Sequence, residues 1–294
     1  MPDTASRDRA AAEQLKNEGN VLFSKGKYGA ALERYTEAIT MSPGWPVPWL
    51  NRALCHKKRG DWQKVMDDCH KALLLDSHSL KANYFLGQAH KEQGEHERAI
   101  ALFLKALEYG REEEDATKDA IWRELAFSKY TLWQEQSKQR TAEHAVLKDR
   151  LRGLLLKEHA FKPPGSLHRR ATRLCCMQGD GMVRGQSSLD EAAQKELAAL
   201  DQLFAEVEAK RKPVELGSPY VCPLTMECFR EPAVTPSGLS YERSSLREHL
   251  KKVGQFDPVT RKPMRESDMY SNHSLRSATR QYLDDNPWAW GDIC

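Results

Sequence analysis

The chain has 294 residues, enough for about two domains, with 30% charged residues and a net charge of +3. So small a charge gives no reason to expect nucleic acid or an anionic membrane as a partner, and a mean hydropathy of -0.70 fits a soluble chain of helix-forming composition. Met1 to Ala10 lacks the apolar core of a signal peptide, no apolar run reaches the length of a bilayer span, and Cys294 is not placed four residues from the end as prenylation requires.

Seven cysteines are scattered without a C-x-x-C pair. An odd, dispersed set reads as reduced thiols, the expectation for a cytoplasmic or nuclear protein.

The N-terminal part repeats with a period of 34 residues, the tetratricopeptide spacing. Gly19, Ala53 and Gly87 are equivalent, as are Ala38, Ala72 and Ala106; Tyr35, Cys69 and Phe103 share a third position, and Tyr28, Trp62 and His96 a fourth. Small residues let the two helices of a repeat approach closely, and the larger ones fill the space between them. Three stacked pairs make a superhelix with a concave groove, capped by a fourth helical stretch at about 116–133. The repeat domain is expected over 9–133.

Lys16 and Asn20 are four apart and share one face of a groove-lining helix. Asn51 opens the second repeat and Lys81 the third. Either lysine alone reads as an ordinary solvated charge. Two lysines and two asparagines on one concave surface suit closely spaced carboxylates, because charge-assisted hydrogen bonds are the strong kind. The positions resemble the dicarboxylate clamp of repeat proteins that grip the C-terminal Glu-Glu-Val-Asp tail of cytosolic seventy- and ninety-kilodalton heat-shock chaperones. That resemblance implies that one bound carboxylate is the tail's terminus and the other its last aspartate. Adaptors with this clamp carry arginine four residues after the third-repeat lysine. Here Phe85 stands there, preceded by Tyr84, which implies an apolar pocket for an upstream tail residue; Phe23 joins the tail-binding set by the same resemblance.

Residues 134–215 are charged and helix-rich. Leu147, Leu151, Leu154 and Leu155 have helical spacing, and Pro163 and Pro164 stop that helix. A second helix is expected at about 188–211, with Leu197, Leu200, Leu203, Phe204 and Val207 as its stripe and Ser188 with Glu191 as a capping box. The pair reads as a linker arm that forms a hairpin or a dimer seam, or else packs on the repeats. "RRAT" at 169–172 matches a basophilic kinase site, a pattern that is usually incidental.

The last module, 216–290, has its own architecture. "TPSG" turns between β-prone runs at 233–235 and 239–241. Ser245 and Glu248 have capping-box spacing for a helix ending before Gly254, with Leu246, Leu250 and Val253 as its apolar face. "FDPVTRKP" (256–263) follows, then a final helix from "SNHSLRSATRQYL". Cys222 and Cys228, with five residues between them, cannot supply the paired ligand spacing of a zinc-bound RING, so neither a metal nor a cofactor is expected. "CPLTME", "REPAVTPSGLSYER" and "DPVTRKP" instead resemble, in order and spacing, a U-box, the zinc-free relative of the RING.

The U-box resemblance implies that hydrogen bonds and salt bridges replace the metal, with Ser237, Glu242, Arg243 and Asn272 as candidates. It also implies a docking face for a ubiquitin-charged conjugating enzyme: Leu224 and Met226 from the first loop, His249 from the helix, Phe256 and Pro258 from the second. Met226 reads equally as core. Arg261 falls where RING-type ligases place a cation that orients the charged carrier, so catalysis would be by positioning, without a covalent intermediate. The whole is mainly α: a tetratricopeptide superhelix, a helical arm and a small α+β U-box. In that order it resembles the CHIP family of co-chaperone ubiquitin ligases, which implies a homodimer that ubiquitinates chaperone-bound misfolded clients. A non-enzymatic chaperone adaptor is the alternative, against which the intact "DPVTR" loop argues.

Overall fold

The computed structural model describes residues 4–110, 117–161, 184–209 and 217–293. Three helix pairs come first: α1 (Thr4–Ser24) with α2 (Tyr28–Met41), α3 (Pro46–Arg59) with α4 (Trp62–Leu75), and α5 (Leu80–Glu92) with α6 (His96–Tyr109). α7 (Thr117–Phe161) and α8 (Arg184–Ala209) follow. The C-terminal module contains β1 (Pro232–Val234), β2 (Ser240–Glu242), α9 (Arg243–Lys252), β3 (Tyr270–Ser271) and α10 (His273–Asp285), then a 3-10 segment, Pro287–Asp292.

The repeat signature has a packing cause. A Cβ on Gly19 would lie 2.5 Å from the Tyr35 ring, and one on Gly87 2.7 Å from Phe103. The second repeat has a cysteine, Cys69, where those aromatics stand, and there Ala53 is accommodated; both are fully buried. Glycine on one helix is therefore matched to an aromatic ring on the other. Ala38, Ala72 and Ala106 are likewise fully buried. Within the second repeat, Arg52 grips the buried Asp68 through two bonds of 3.0 and 2.6 Å.

The two compact units are 1–133 with 215–294, and 134–214. In the first, the repeats and the C-terminal module share a hydrophobic core: Phe103, Ile121, Trp122 and Leu125 meet Cys228, Leu283, Ala289 and Trp290. Trp122 and Trp290 stack at 5.5 Å, and Lys129 lies 4.4 Å from the Trp290 ring while pairing with Asp284 at 2.5 Å. The module's own core gathers Cys222, Phe229, Tyr241, Leu246, Leu250 and Met264 beneath an antiparallel sheet of order β2-β1-β3, in which Ala233 faces Tyr241 on one side and Ser271 on the other.

In the second unit, α7 and α8 run antiparallel. His159 meets Glu196 at 2.9 Å, Lys148 meets Asp201 at 2.8 Å, and His144 packs edge-on to Phe204. Leu151, Leu155, Leu197, Leu200 and Phe204 are half-buried, whereas Leu147, Leu154, Leu203 and Val207 are exposed.

Several sequence expectations are corrected. The capping stretch at 116–133 does not end there: α7 is one helix of 45 residues. α8 begins at Arg184, so position 188 lies inside the helix and not at its start. α9 begins at Arg243 behind Glu242, which places Ser245 within its first turn, and Glu248 turns outward to pair with Lys252 at 2.6 Å. A Ser-x-x-Glu spacing occurs as readily inside a helix as at its start. Val253 is 63% exposed and does not share the buried face of Leu246 and Leu250. The prolines at 163 and 164 and the "RRAT" stretch lie outside the described residues.

Candidate functional site: a repeat groove and a two-loop face

Two candidate surfaces stand on this frame. In the repeats, Asn20 on α1 accepts hydrogen bonds through Oδ1 from Asn51 Nδ2 on α3 (3.0 Å) and from the Tyr35 hydroxyl (2.8 Å). The two asparagines are thus joined across repeats, and Tyr35 holds Asn20 with its amide nitrogen turned away. Lys16, one turn before Asn20, is half-buried beside the Trp45 ring at 5.6 Å, and its contact with Glu13 is a loose 3.9 Å. Lys81 is exposed and has no carboxylate partner among the described residues. Such cations are available to an incoming carboxylate.

Phe23 is half-buried against Tyr28 at 5.3 Å. The aromatic pair expected in the third repeat divides. Phe85 is half-buried and retains open surface. Tyr84 is only 8% exposed, packs on Phe103, and accepts a 2.9 Å bond from Gln88 on its hydroxyl, so it offers far less open surface than Phe85.

Sequence reading missed a polar chain across successive groove helices. Lys57 donates to Gln88 at 2.5 Å, Gln88 donates to Glu124 on α7 at 2.9 Å, and Lys91 donates to Glu124 at 2.7 Å. Burial pushes the Lys57 pKa down; burial also opposes the charge on Lys91, but its bond to Glu124 outweighs that and holds its pKa up. Lys57 and Lys91 are one repeat period apart, and that was the available signal.

The second surface is built by two loops of the same design. Cys222 to Met226 reads C-P-L-T-M and Asp257 to Arg261 reads D-P-V-T-R. In the first, the Met226 N–H donates to the Cys222 carbonyl at 2.8 Å and the Cys222 N–H to the Glu227 carbonyl at 2.8 Å. In the second, the Arg261 N–H donates to Asp257 at 3.0 Å and the Asp257 N–H to Lys262 at 2.8 Å. Isolated bridges, Val221 with Cys228 and Phe256 with Pro263, close both. The first residue of each loop is an anchor, Cys222 fully buried and Asp257 1% exposed.

Asp257 is the hub of the module and was not singled out from the sequence. Its carboxylate accepts bonds from Thr235 (2.9 Å), Ser237, Tyr241 (2.9 Å) and the backbone N–H groups of Val259 (3.0 Å) and Thr260 (2.9 Å). Burial works to raise its pKa, but these donors together hold it well below the ordinary carboxylate range. The other expected network members are in place: Glu242 accepts from the Arg230 and Glu231 N–H groups at 2.9 and 3.1 Å, Arg243 donates to Ser271 at 2.6 Å, and Asn272 donates to Ser240 at 3.0 Å and caps α10. Among the described residues no group of His, Cys, Asp and Glu could hold a metal. Hydrogen bonds from the strands thus fix the second loop at its acid.

With the anchors inside, the remaining residues point out. Leu224 is 37% exposed and Met226 77%, which resolves Met226 as surface. Pro258 is half-buried and Val259 exposed. Phe256 is half-buried, edge-on to His249 of α9 at 5.1 Å, and the exposed Arg261 guanidinium lies 5.0 Å from its ring centre. Leu224, Met226, Pro258 and Val259 thus offer apolar surface on the two loops, with a cation at Arg261.

Residues 218–288 match the U-box domain and 80–110 the tetratricopeptide repeat. The chain is 35% identical over 44% of its length to the small glutamine-rich tetratricopeptide repeat-containing protein 2 of Mycosarcoma maydis, covering 35% of that protein. Its repeats align with 94% of the solved first TPR of Spaghetti (RPAP3) bound to HSP90 peptide SRMEEVD, at 27% identity, over 42% of this chain, with a TM-score of 0.39. It is 37% identical to the E3 ubiquitin-protein ligase CHIP of Arabidopsis thaliana, across 97% of this chain and 98% of that protein. Repeats, arm and U-box are all included in that last match, and the chain belongs to the CHIP family of U-box ubiquitin-protein ligases.

Proposed function

We propose that this ligase is a co-chaperone, which grips the acidic C-terminal tail of cytosolic heat-shock chaperones in its repeat groove and directs ubiquitin onto the misfolded clients they hold. The observation that carries the reading is the Asn20–Asn51 bond across two repeats, flanked by Lys16 and by the unpaired Lys81. Two amides and two cations on one wall suit a ligand ending in two adjacent carboxylates. Phe85 supplies apolar surface for an upstream tail residue.

At the U-box, the conjugating enzyme docks on Leu224, Met226, His249, Phe256 and Pro258, and Arg261 orients the charged carrier. No side chain on this face need act as a nucleophile; holding the thioester in a reactive conformation accounts for catalysis. The arm's exposed leucines support assembly as a homodimer, and the buried free thiols of Cys55, Cys69, Cys222 and Cys228 support a reducing compartment, the cytoplasm and nucleus.

The test is autoubiquitination over a panel of conjugating enzymes, with calorimetry against a Glu-Glu-Val-Asp peptide and light scattering at micromolar concentration. Tail binding with ubiquitin transfer by a dimer is expected. A peptide bound equally well after C-terminal amidation would refute the clamp, and a monomer would refute the dimer.

A further inference from the structure

A cavity of about 630 Å³ lies within the first unit, between α6 and α7 on one side and the U-box on the other. That is within the usual range for small-ligand sites, about 300–1,000 Å³. Its apolar floor includes Leu104, Leu107, Trp122, Phe229 and Leu283. Its walls carry seven Lys or Arg side chains against five Asp or Glu.

Pairing exhausts most of these charges. Arg230 meets Asp119 at 3.4 Å, Arg276 meets Glu231 at 3.0 Å, Lys129 meets Asp284 at 2.5 Å, and Arg247 meets Glu266 at 2.5 Å. Glu242 is turned to the backbone N–H groups of Arg230 and Glu231. Lys118, Arg243 and Arg280 remain, with no carboxylate within ion-pair distance among the described residues, against one further lining carboxylate, Glu108, that has no ion-pair partner among them. Two of them are held in place by other means: Arg243 donates to the Ser271 hydroxyl at 2.6 Å, and Arg280 lies 5.9 Å from the Trp122 ring centre.

Lys118, Arg243 and Arg280 are half-buried, and cations that face one recess and outnumber its free carboxylates draw an anion into it. Arginine forks match phosphate oxygens two at a time, and a lysine adds a point charge. We infer that this cavity binds a small molecule bearing two or more phosphate groups, bridging Lys118 of α7 to Arg243 and Arg280 of the U-box. Because the two walls belong to different modules, the ligand would fasten the repeats to the U-box through their shared core.

The test is calorimetry of the full chain with inositol hexakisphosphate and with tripolyphosphate at fixed ionic strength, alongside vesicles containing phosphatidylinositol 4,5-bisphosphate. Micromolar binding of a soluble probe is expected, weakened at least tenfold by Arg243→Gln with Arg280→Gln, and also by Lys118→Gln, which alters the opposite wall and leaves the U-box intact. Lys16→Ala with Lys81→Ala should bind the probe as the parent does, which separates this site from the tail groove. The inference is overturned if neither soluble probe binds, if only vesicles bind, if the Lys118 variant binds undiminished, or if the groove variant is the one that loses binding.

Discussion

Met226 and Arg261 occupy the same place on two loops of matching backbone: each is the fourth residue after a buried anchor, and each is left-handed, at φ 58° and 59°. A left-handed L-residue costs roughly 1–2 kcal/mol, and neither is glycine. The strain is offset by the anchors behind, and it turns a long side chain outward at the same point of each loop.

Glycine at 261 removes the side chain and relieves that strain together. Arg261→Gly should therefore change U-box stability by less than about 1 kcal/mol, since relief is set against glycine's extra chain entropy. Affinity for the uncharged conjugating enzyme should be nearly unchanged, while single-turnover discharge of the ubiquitin thioester to free lysine falls tenfold or more. Equal losses in binding and discharge would make Arg261 an ordinary contact.

Met226→Ala should act on the other quantity. A small docking face concentrates its energy in a few apolar anchors, worth about 2 kcal/mol or more each. Carrier affinity should fall at least tenfold with an unaltered thermal melt, because a side chain 77% exposed contributes little to folding.

Asp257→Asn tests the hub. An amide presents a donor where the carboxylate met only donors, leaving buried groups unsatisfied at roughly 1–3 kcal/mol each. The U-box should lose about 3 kcal/mol or more by denaturant unfolding. The folded pKa is depressed below the unfolded value of about 3.9, so this contribution is fully present above that value and is lost as pH falls below it. The parent's stability should decline below about pH 4 more steeply than the variant's.

The clamp predicts that Lys81→Ala removes a charge-assisted contact of roughly 1.5–3 kcal/mol, about ten- to hundredfold in affinity for an acidic tail peptide. Amidating the peptide's C-terminus should do comparable damage. Calorimetry showing no change in either case would refute the groove assignment.

Gly87→Ala forces a Cβ toward Phe103 and should cost about 1–3 kcal/mol. The second repeat already holds the complementary solution, Ala53 opposite Cys69. In a double-mutant cycle the Phe103→Cys background should abolish the cost of Gly87→Ala, leaving the loss from the smaller ring position alone. Additive effects would show that the two positions do not meet.

The sequence by itself determined the repeats and the order of loops in the U-box. A 34-residue period forces equivalent residues into equivalent contacts, so Gly19, Ala53 and Gly87 are readable without coordinates. Turn and apolar signals are similarly local, which is why "TPSG" marked the β1–β2 turn. Helix starts were read less well. Ser188 and Ser245 carry a cap's spacing, yet their helices begin earlier, because spacing alone does not say where the chain enters a helix.

Tertiary structure decided what depends on partners distant in the chain. Asp257 looks like one more loop acid until Thr235, Ser237 and Tyr241 are brought to it from the strands. Tyr84 and Phe85 are neighbours of like chemistry; only the position of Phe103 buries one and leaves the other open. Trp122 and Trp290, far apart in the chain, give no local sign that they stack and join the repeats to the U-box in one core. Local pattern records which face of an element is apolar; which surface covers that face is settled only when the chain closes on itself and water is excluded from both.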